Sequence, residues 1–291
     1  MQARSLMDQN IAATHLAGAE QKRSMRYPLL SSLLDDCLEE KTDLVFGSAR
    51  YNLPGIAIFG PSNAVDGLLA IQELVFGEKA LSLAEFRDAL KDDYAGHEDL
   101  RERVQRRSGR FGNGREETDS FANRVHGIHS DYAGKQAGPR GGRYACGVWP
   151  VESHVHAGRC TGAGPDGRLS GAPLVDGVGA CHGADVNGPT ALLRSVAGLD
   201  SCRNWPAGNT FNIRLSGDGL APMMSLVDTF MELGGQQIQI NVVDTRVLLE
   251  AQRVPELHGN LLVRVAGFSA YFTMLSKAVQ DEIISRTEHK L

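Results

Sequence analysis

The chain reads as an α/β protein, and three observations lead there. Five short runs rich in branched and aromatic residues, at 55–59, 144–149, 211–215, 238–243 and 261–266, have the length of strands. Between them lie segments with apolar residues at helical spacing. The segments alternate along the chain instead of being grouped by type, which predicts mainly parallel pairing.

Residues 61–76 open on Pro61, place Val65, Leu68, Leu69 and Gln72 at helical spacing, and stop at Gly77. The next helix is marked more sharply. Ser82 and Glu85 form a capping box, and Leu81 with Phe86 is placed as a hydrophobic staple, so the helix should start at Leu83. Residues 118–133 repeat Phe121, Val125, Ile128 and Tyr132, a single buried stripe. Pro189 opens a helix to about Ala197, and a helix at 223–233 ends at Gly234-Gly235.

Composition narrows the class. With 291 residues, 42% of them hydrophobic, the chain can bury one large or two modest cores. A net charge of −5 argues against a nucleic-acid footprint. The arginines from Arg101 to Arg107, with Arg110 and Arg115, are interleaved with Glu102, Glu116 and Glu117, the pattern of a solvated helix face. No apolar run approaches the roughly 20 residues that span a bilayer. Five cysteines at irregular spacing and no secretory start place the chain in the cytoplasm. The 33 glycines are concentrated between Gly134 and Gly188, a stretch too poor in periodic apolar residues to form a core.

Several motifs compete for a functional role. Gly162-x-Gly164-x-x-Gly167 matches a dinucleotide fingerprint literally, but Gly171, Pro173 and Gly177 follow where a helix should begin. His154, His156 and Cys160 could supply three metal ligands if the two histidines share one face of a strand, but no fourth ligand stands at a recognisable spacing, and the expectation is no metal. Cys181-His182 could pair a thiolate with a base, although adjacent side chains often point apart. Gly267 interrupts the last strand run, where a glycine weakens the strand by roughly 0.5–1 kcal/mol relative to alanine. It marks a bulge or tight bend, or its α-carbon is itself reactive.

Arg264-Val265-Ala266-Gly267-Phe268-Ser269 resembles the radical-bearing motif of the glycyl radical enzymes, the family of pyruvate formate-lyase and the glycerol dehydratases. The family usually has tyrosine where Phe268 stands, so the ring is kept and a hydroxyl is lost. Residues 273–288 resemble the family's closing helix. Similar stretches occur in family order at 27–37, 47–52, 70–76, 110–113, 147–150, 162–168, 176–177, 188–191 and 237–244.

The resemblance implies the C-terminal half of a ten-stranded α/β barrel at 1–214, followed by a glycyl radical domain at 215–291. The glycine-rich stretch would then cross one end of the barrel. The radical would reside on Gly267, with Arg264, Val265, Ala266, Phe268 and Ser269 forming the motif an activating enzyme recognises. Tyr144 would line the pocket. No cofactor would be bound permanently; a radical S-adenosylmethionine activase would install the radical.

Family members carry their catalytic thiol in a Gly-Cys-x-Glu loop. None of Cys37, Cys146, Cys160, Cys181 and Cys202 has that setting. The expectation is therefore part of a lyase, dehydratase or acyltransferase acting on a small-molecule substrate, inactive alone. It would need a chain carrying the N-terminal half-barrel and the thiol, and would be a homodimer when complete. The alternatives are a non-catalytic replacement for a damaged radical domain, or an inactive remnant.

Overall fold

The structure, a computed structural model, describes residues 2–217 and 219–290, with the side chains of residues 2 and 3 left aside. The chain divides into two compact units: Met1–Ile56, His126–Gly147 and Cys202–Ala207 form one, and Ala57–Val125, Val148–Ser201 and Gly208–Leu291 the other. Among the described residues, no helix is long and apolar enough to cross a membrane.

The smaller unit is led by the helix Gln2–Ser24. Lys22 ties that helix to the Pro139 carbonyl at 2.9 Å, and the His126 and Trp205 rings meet with centroids 4.9 Å apart. Strand β1 (Gly55–Ala57) neighbours β2 (Ala145–Gly147). Both are shorter than the sequence runs suggest.

The larger unit holds the chain's second and third sheets. Strands β3 (Asn212–Ser216), β4 (Gln239–Val242) and β7 (Glu288–Lys290) form a parallel sheet in the order β4-β3-β7. Strands β5 (Leu262–Arg264) and β6 (Ser269–Tyr271) form an antiparallel hairpin. The expected parallel pairing is therefore found in the central sheet, while the last strand run breaks at its glycine.

Helices marked by a cap or a proline start where the sequence signals them, at Pro61, Leu83 and Pro189, while those expected at 118 and 223 start at Glu116 and Leu220. At Leu83–Lys91 both halves of the capping box are made: the Glu85 amide donates to Ser82 Oγ at 3.2 Å, and the Ser82 amide to Glu85 Oε2 at 2.7 Å. The 61–76 segment is an α-helix, Pro61–Ile71, continued by a π-helical turn, Gln72–Gly77. Phe86 packs with Ala70, Leu74, Tyr94 and Val104 in one apolar cluster. A second cluster of Val155, Leu248, Ala251, Val263, Val265, Phe272, Val279 and Ile283 lies against the β5–β6 hairpin.

One local assignment is corrected. Residues 153–159 are helical, Ser153–Arg159, entered through a turn in which the Ser153 amide bonds to Pro150 O at 2.7 Å. Two residues apart on a helix do not share a face. His154 is buried and His156 exposed, so the metal pairing that an extended strand would allow is not assembled.

Candidate functional site

Strand β4 positions the site by turning the usual alternation over. Gln239 and Asn241, two residues apart, point to one face and are buried, while Ile240 is half-buried and Val242 is 56% exposed. The buried amides must therefore find partners, and the hairpin supplies them. Asn241 grips β5 through both backbone groups of Arg264: the Arg264 amide donates to Oδ1 and Nδ2 donates to the Arg264 carbonyl, each at 2.7 Å. Gln239 Oε1 accepts from the Gly267 amide at 2.9 Å and from Arg264 Nε at 3.2 Å.

Between β5 and β6 only Val265, Ala266, Gly267 and Phe268 intervene, closed by the Val265 amide bonding to Phe268 O at 2.9 Å. Gly267 has φ of 97°, a left-handed conformation that a side chain disfavours. This is the bend the interrupted strand run called for. The turn is firmly seated: Val265 and Ala266 are buried and Phe268 packs against the apolar cluster beneath. Gly267 itself is exposed, and a β-carbon built on it would meet nothing within 4 Å. Its α-carbon faces open space.

Below the turn lies a buried charged cluster. Arg286 donates to Val265 O at 2.9 Å and pairs with Glu282 at 2.9 Å and Asp176 at 3.0 Å. The helix just before it, Lys277–Ser285, is held in turn by Arg214, which reaches from β3 to the carbonyls of Ile283 and Ile284 at 3.1 Å each, the natural place for a cation at a helix C-terminus. His154 Nε2 and His182 Nε2 each lie 3.5 Å from Glu282 Oε1. Burial by itself would raise the Asp176 and Glu282 carboxyls, but the Arg286 guanidinium, with His182 and His154, holds both below the ordinary carboxylate range. Burial would lower His182, yet Asp176 and Glu282 outweigh it and raise the imidazole above its usual value.

The remaining candidates disperse. Burial, then the Asp66 and Asp166 carboxylates, push the Cys181 thiol well up, while His182 Nδ1 is engaged at 3.0 Å by Ser285 Oγ. That is no thiolate with its base. Gly164 and Gly167 close a turn through the Gly167 amide to Gly164 O at 3.0 Å, and no helix begins there. In the smaller unit Tyr144 is buried and directs its hydroxyl to Ile11 O at 3.4 Å, within the packing of the first helix.

Comparison with known proteins places these features. Residues 1–158 match the pyruvate formate lyase-like family model, and residues 174–273 match the glycine radical model. The chain belongs to the glycyl radical enzyme family. It is 34% identical over 286 residues to trans-4-hydroxy-L-proline dehydratase of Clostridioides difficile, covering 96% of this chain and 35% of that one. To isethionate sulfite-lyase of Oleidesulfovibrio alaskensis it is 35% identical over 287 residues, covering 94% and 34%. Among solved structures, the substrate-bound hydroxyproline dehydratase of C. difficile superposes with a TM-score of 0.93 at 33% identity, covering 98% of this chain and 37% of that one. The glycerol-bound B12-independent glycerol dehydratase of Clostridium butyricum gives 0.89 at 36%, covering 94% and 35%. The chain thus spans about a third of the length of the curated relatives it matches. Its separate small sheets fit a partial barrel of that fold.

Proposed function

We propose that Gly267 stores a glycyl radical and that the chain is the radical-bearing C-terminal part of a lyase or dehydratase, with an acyltransferase of the formate-lyase type as the wider alternative. The observation that carries this is the turn itself. A glycine held at φ of 97° at the tip of a braced hairpin, its α-carbon facing open space, offers a C–H bond that a reagent can reach without displacing a side chain. Arg264, Val265, Ala266, Phe268 and Ser269 frame it as the motif an activase reads.

In this reading a radical S-adenosylmethionine activase removes a hydrogen atom from the Gly267 α-carbon. The glycyl radical then takes a hydrogen atom from a thiol, which restores Gly267 and leaves a thiyl radical to attack the small-molecule substrate. The thiol belongs to the N-terminal half-barrel, which these residues do not include, because none of the five cysteines here has the family's loop signature. Closing that half-barrel over the exposed glycine would exclude water and oxygen. The barrel portion runs through residue 214, with Tyr144 beside the substrate pocket, and the radical domain occupies 215–291; the assembled enzyme is a cytoplasmic homodimer. A replacement part would need the radical domain alone, and the long match at 1–158 favours the enzyme component.

Anaerobic incubation with a matching activase and S-adenosylmethionine tests the reading. The expected result is an organic radical with a doublet-type paramagnetic resonance signal, absent in Gly267→Ala. A signal that persists in that variant would place the spin elsewhere.

A further inference from the structure

We propose that Gln239 is a positioning residue for the radical: its carboxamide oxygen fixes the Gly267 peptide nitrogen while the α-carbon flattens. The proposal rests on the reading that Gly267 stores the spin. Loss of a hydrogen atom leaves a planar carbon whose unpaired electron is stabilised by overlap with the adjoining amide nitrogen on one side and the carbonyl on the other. Overlap with the nitrogen requires the preceding peptide plane to coincide with the plane of the flattened carbon. With φ at 97°, the hydrogen-bearing chain stands about a quarter turn from that arrangement. Radical formation therefore demands rotation about the N–Cα bond.

Which side of the bond moves depends on what is held. Gln239 is buried on β4 opposite Asn212 of β3, and its oxygen accepts both the Gly267 amide and Arg264 Nε. The preceding carbonyls are held as well, Val265 O by Arg286 and Arg264 O by Asn241. The nitrogen side is thus anchored to the sheet and to the buried cluster. On the other side a β-carbon built at Gly267 would find open space, so the α-carbon can turn and flatten without meeting a side chain. Accepting the N–H also leaves more electron density on the nitrogen, the donor half of the overlap, and favours the radical over the hydrogen-bearing form.

Asn241 provides a control within the same strand. It binds only the backbone of Arg264 and does not touch the Gly267 amide, so its loss loosens the hairpin without removing the acceptor.

The test compares Gln239→Leu, Gln239→Glu and Asn241→Leu. In the unactivated chain, Gln239→Leu should speed hydrogen exchange of the Gly267 amide by about tenfold, whereas Gln239→Glu should keep it slow. In the activated chain, electron–nuclear double resonance should lose the hydrogen-bonded exchangeable-proton coupling in Gln239→Leu, and the anaerobic half-life of the signal should shorten several-fold. Gln239→Glu and Asn241→Leu should retain the coupling. If Gln239→Leu does not fold, Gln239→Asn draws the oxygen back by one methylene and should weaken the coupling in the same direction. An unchanged coupling and half-life in Gln239→Leu, or the same loss in Asn241→Leu, would overturn the proposal. A signal in the unsubstituted chain that survives Gly267→Ala would instead overturn the radical reading on which it stands.

Discussion

In the cluster of Ala70, Leu74, Phe86, Tyr94 and Val104, apolar side chains turn inward along helices, and the one buried polar group, the Tyr94 hydroxyl, meets Gly164 O at 2.8 Å. Beneath the Gly267 turn the apolar cluster is joined by buried polar groups, Gln239, Asn241, Glu282, Arg286, Asp176 and His154, while Val242 faces outward. The first arrangement is stabilised by area removed from water and tolerates slight displacement. The second is stabilised only if every partner is in place, because a buried amide or charge without one is costly. A region that must hold a single backbone amide in register gains from that intolerance. Apolar packing resists expansion; directional bonds such as those of Gln239 and Arg286 also fix orientation.

Removing one side chain from each region should have the largest effect. Arg286→Met takes the guanidinium from two buried carboxylates, leaving them His182 and His154, and should cost about 3–5 kcal/mol at neutral pH, read from the urea midpoint. Phe86→Ala should cost about the same, 3–5 kcal/mol, through lost burial and a cavity. Acid separates the two. In the unsubstituted chain the folded-state pKa values of Asp176 and Glu282 are lowered, so their contribution is present above the ordinary carboxylate range of about pH 4 and is lost as pH falls through the folded values. Without the guanidinium, burial should raise both groups, so the variant binds protons on folding and its deficit should shrink as pH falls toward about 5. The Phe86→Ala deficit should stay flat over the same interval. A flat Arg286→Met deficit would mean that the cluster is not ionised as its geometry requires.

His182 sharpens the same contrast with a smaller effect. Its folded-state pKa is raised by Asp176 and Glu282, so its contribution is fully present below the ordinary imidazole value of about 6.5 and is lost as pH rises through the raised value. Stability should therefore decline across that window in the unsubstituted chain, and His182→Gln should remove that part of the decline. Equal slopes in both proteins would detach His182 from the cluster.

How much could be seen beforehand follows the same division. The helix at Leu83–Lys91 was legible because its signals are local: Ser82, Glu85, Leu81 and Phe86 lie within a few residues of one another. The parallel pairing of β3 and β4 followed from the alternation of elements, and Gly267 stood out because it interrupts a strand pattern. The mount of the glycine was not read. Gln237, Gln239 and Asn241 alternate with Ile238, Ile240 and Val242, and such a pattern does not say which face is buried; apolar-inward is the default, and β4 reverses it. Glu282 and Arg286, four apart across the end of the helix Lys277–Ser285, look like an ordinary surface pair until the fold buries them. Asp176 lies more than 100 residues away, so no local pattern joins it to them. His154 and His156, which could have shared a ligand face only on a strand, lie on a helical turn.

The smallest effect expected lies at the capping box, where local sequence alone determined the structure. Ser82→Ala removes the hydroxyl that accepts the Glu85 amide at 3.2 Å, and should cost about 1 kcal/mol. The Ser82 amide keeps its bond to Glu85 Oε2, so only half of the reciprocal pair is lost. Asp at the same position can accept the Glu85 amide as the hydroxyl did and also places negative charge at the helix N-terminus, so Ser82→Asp should recover most of the loss. Neither change should alter exchange at the Gly267 amide, because the cap acts on a helix whose apolar cluster adjusts without passing orientation to the turn. Amide exchange measured residue by residue decides the point. Faster exchange at Gly267 in Ser82→Ala would show that the two regions are mechanically joined, and the contrast between adaptable apolar packing and a rigid polar mount would no longer describe the molecule.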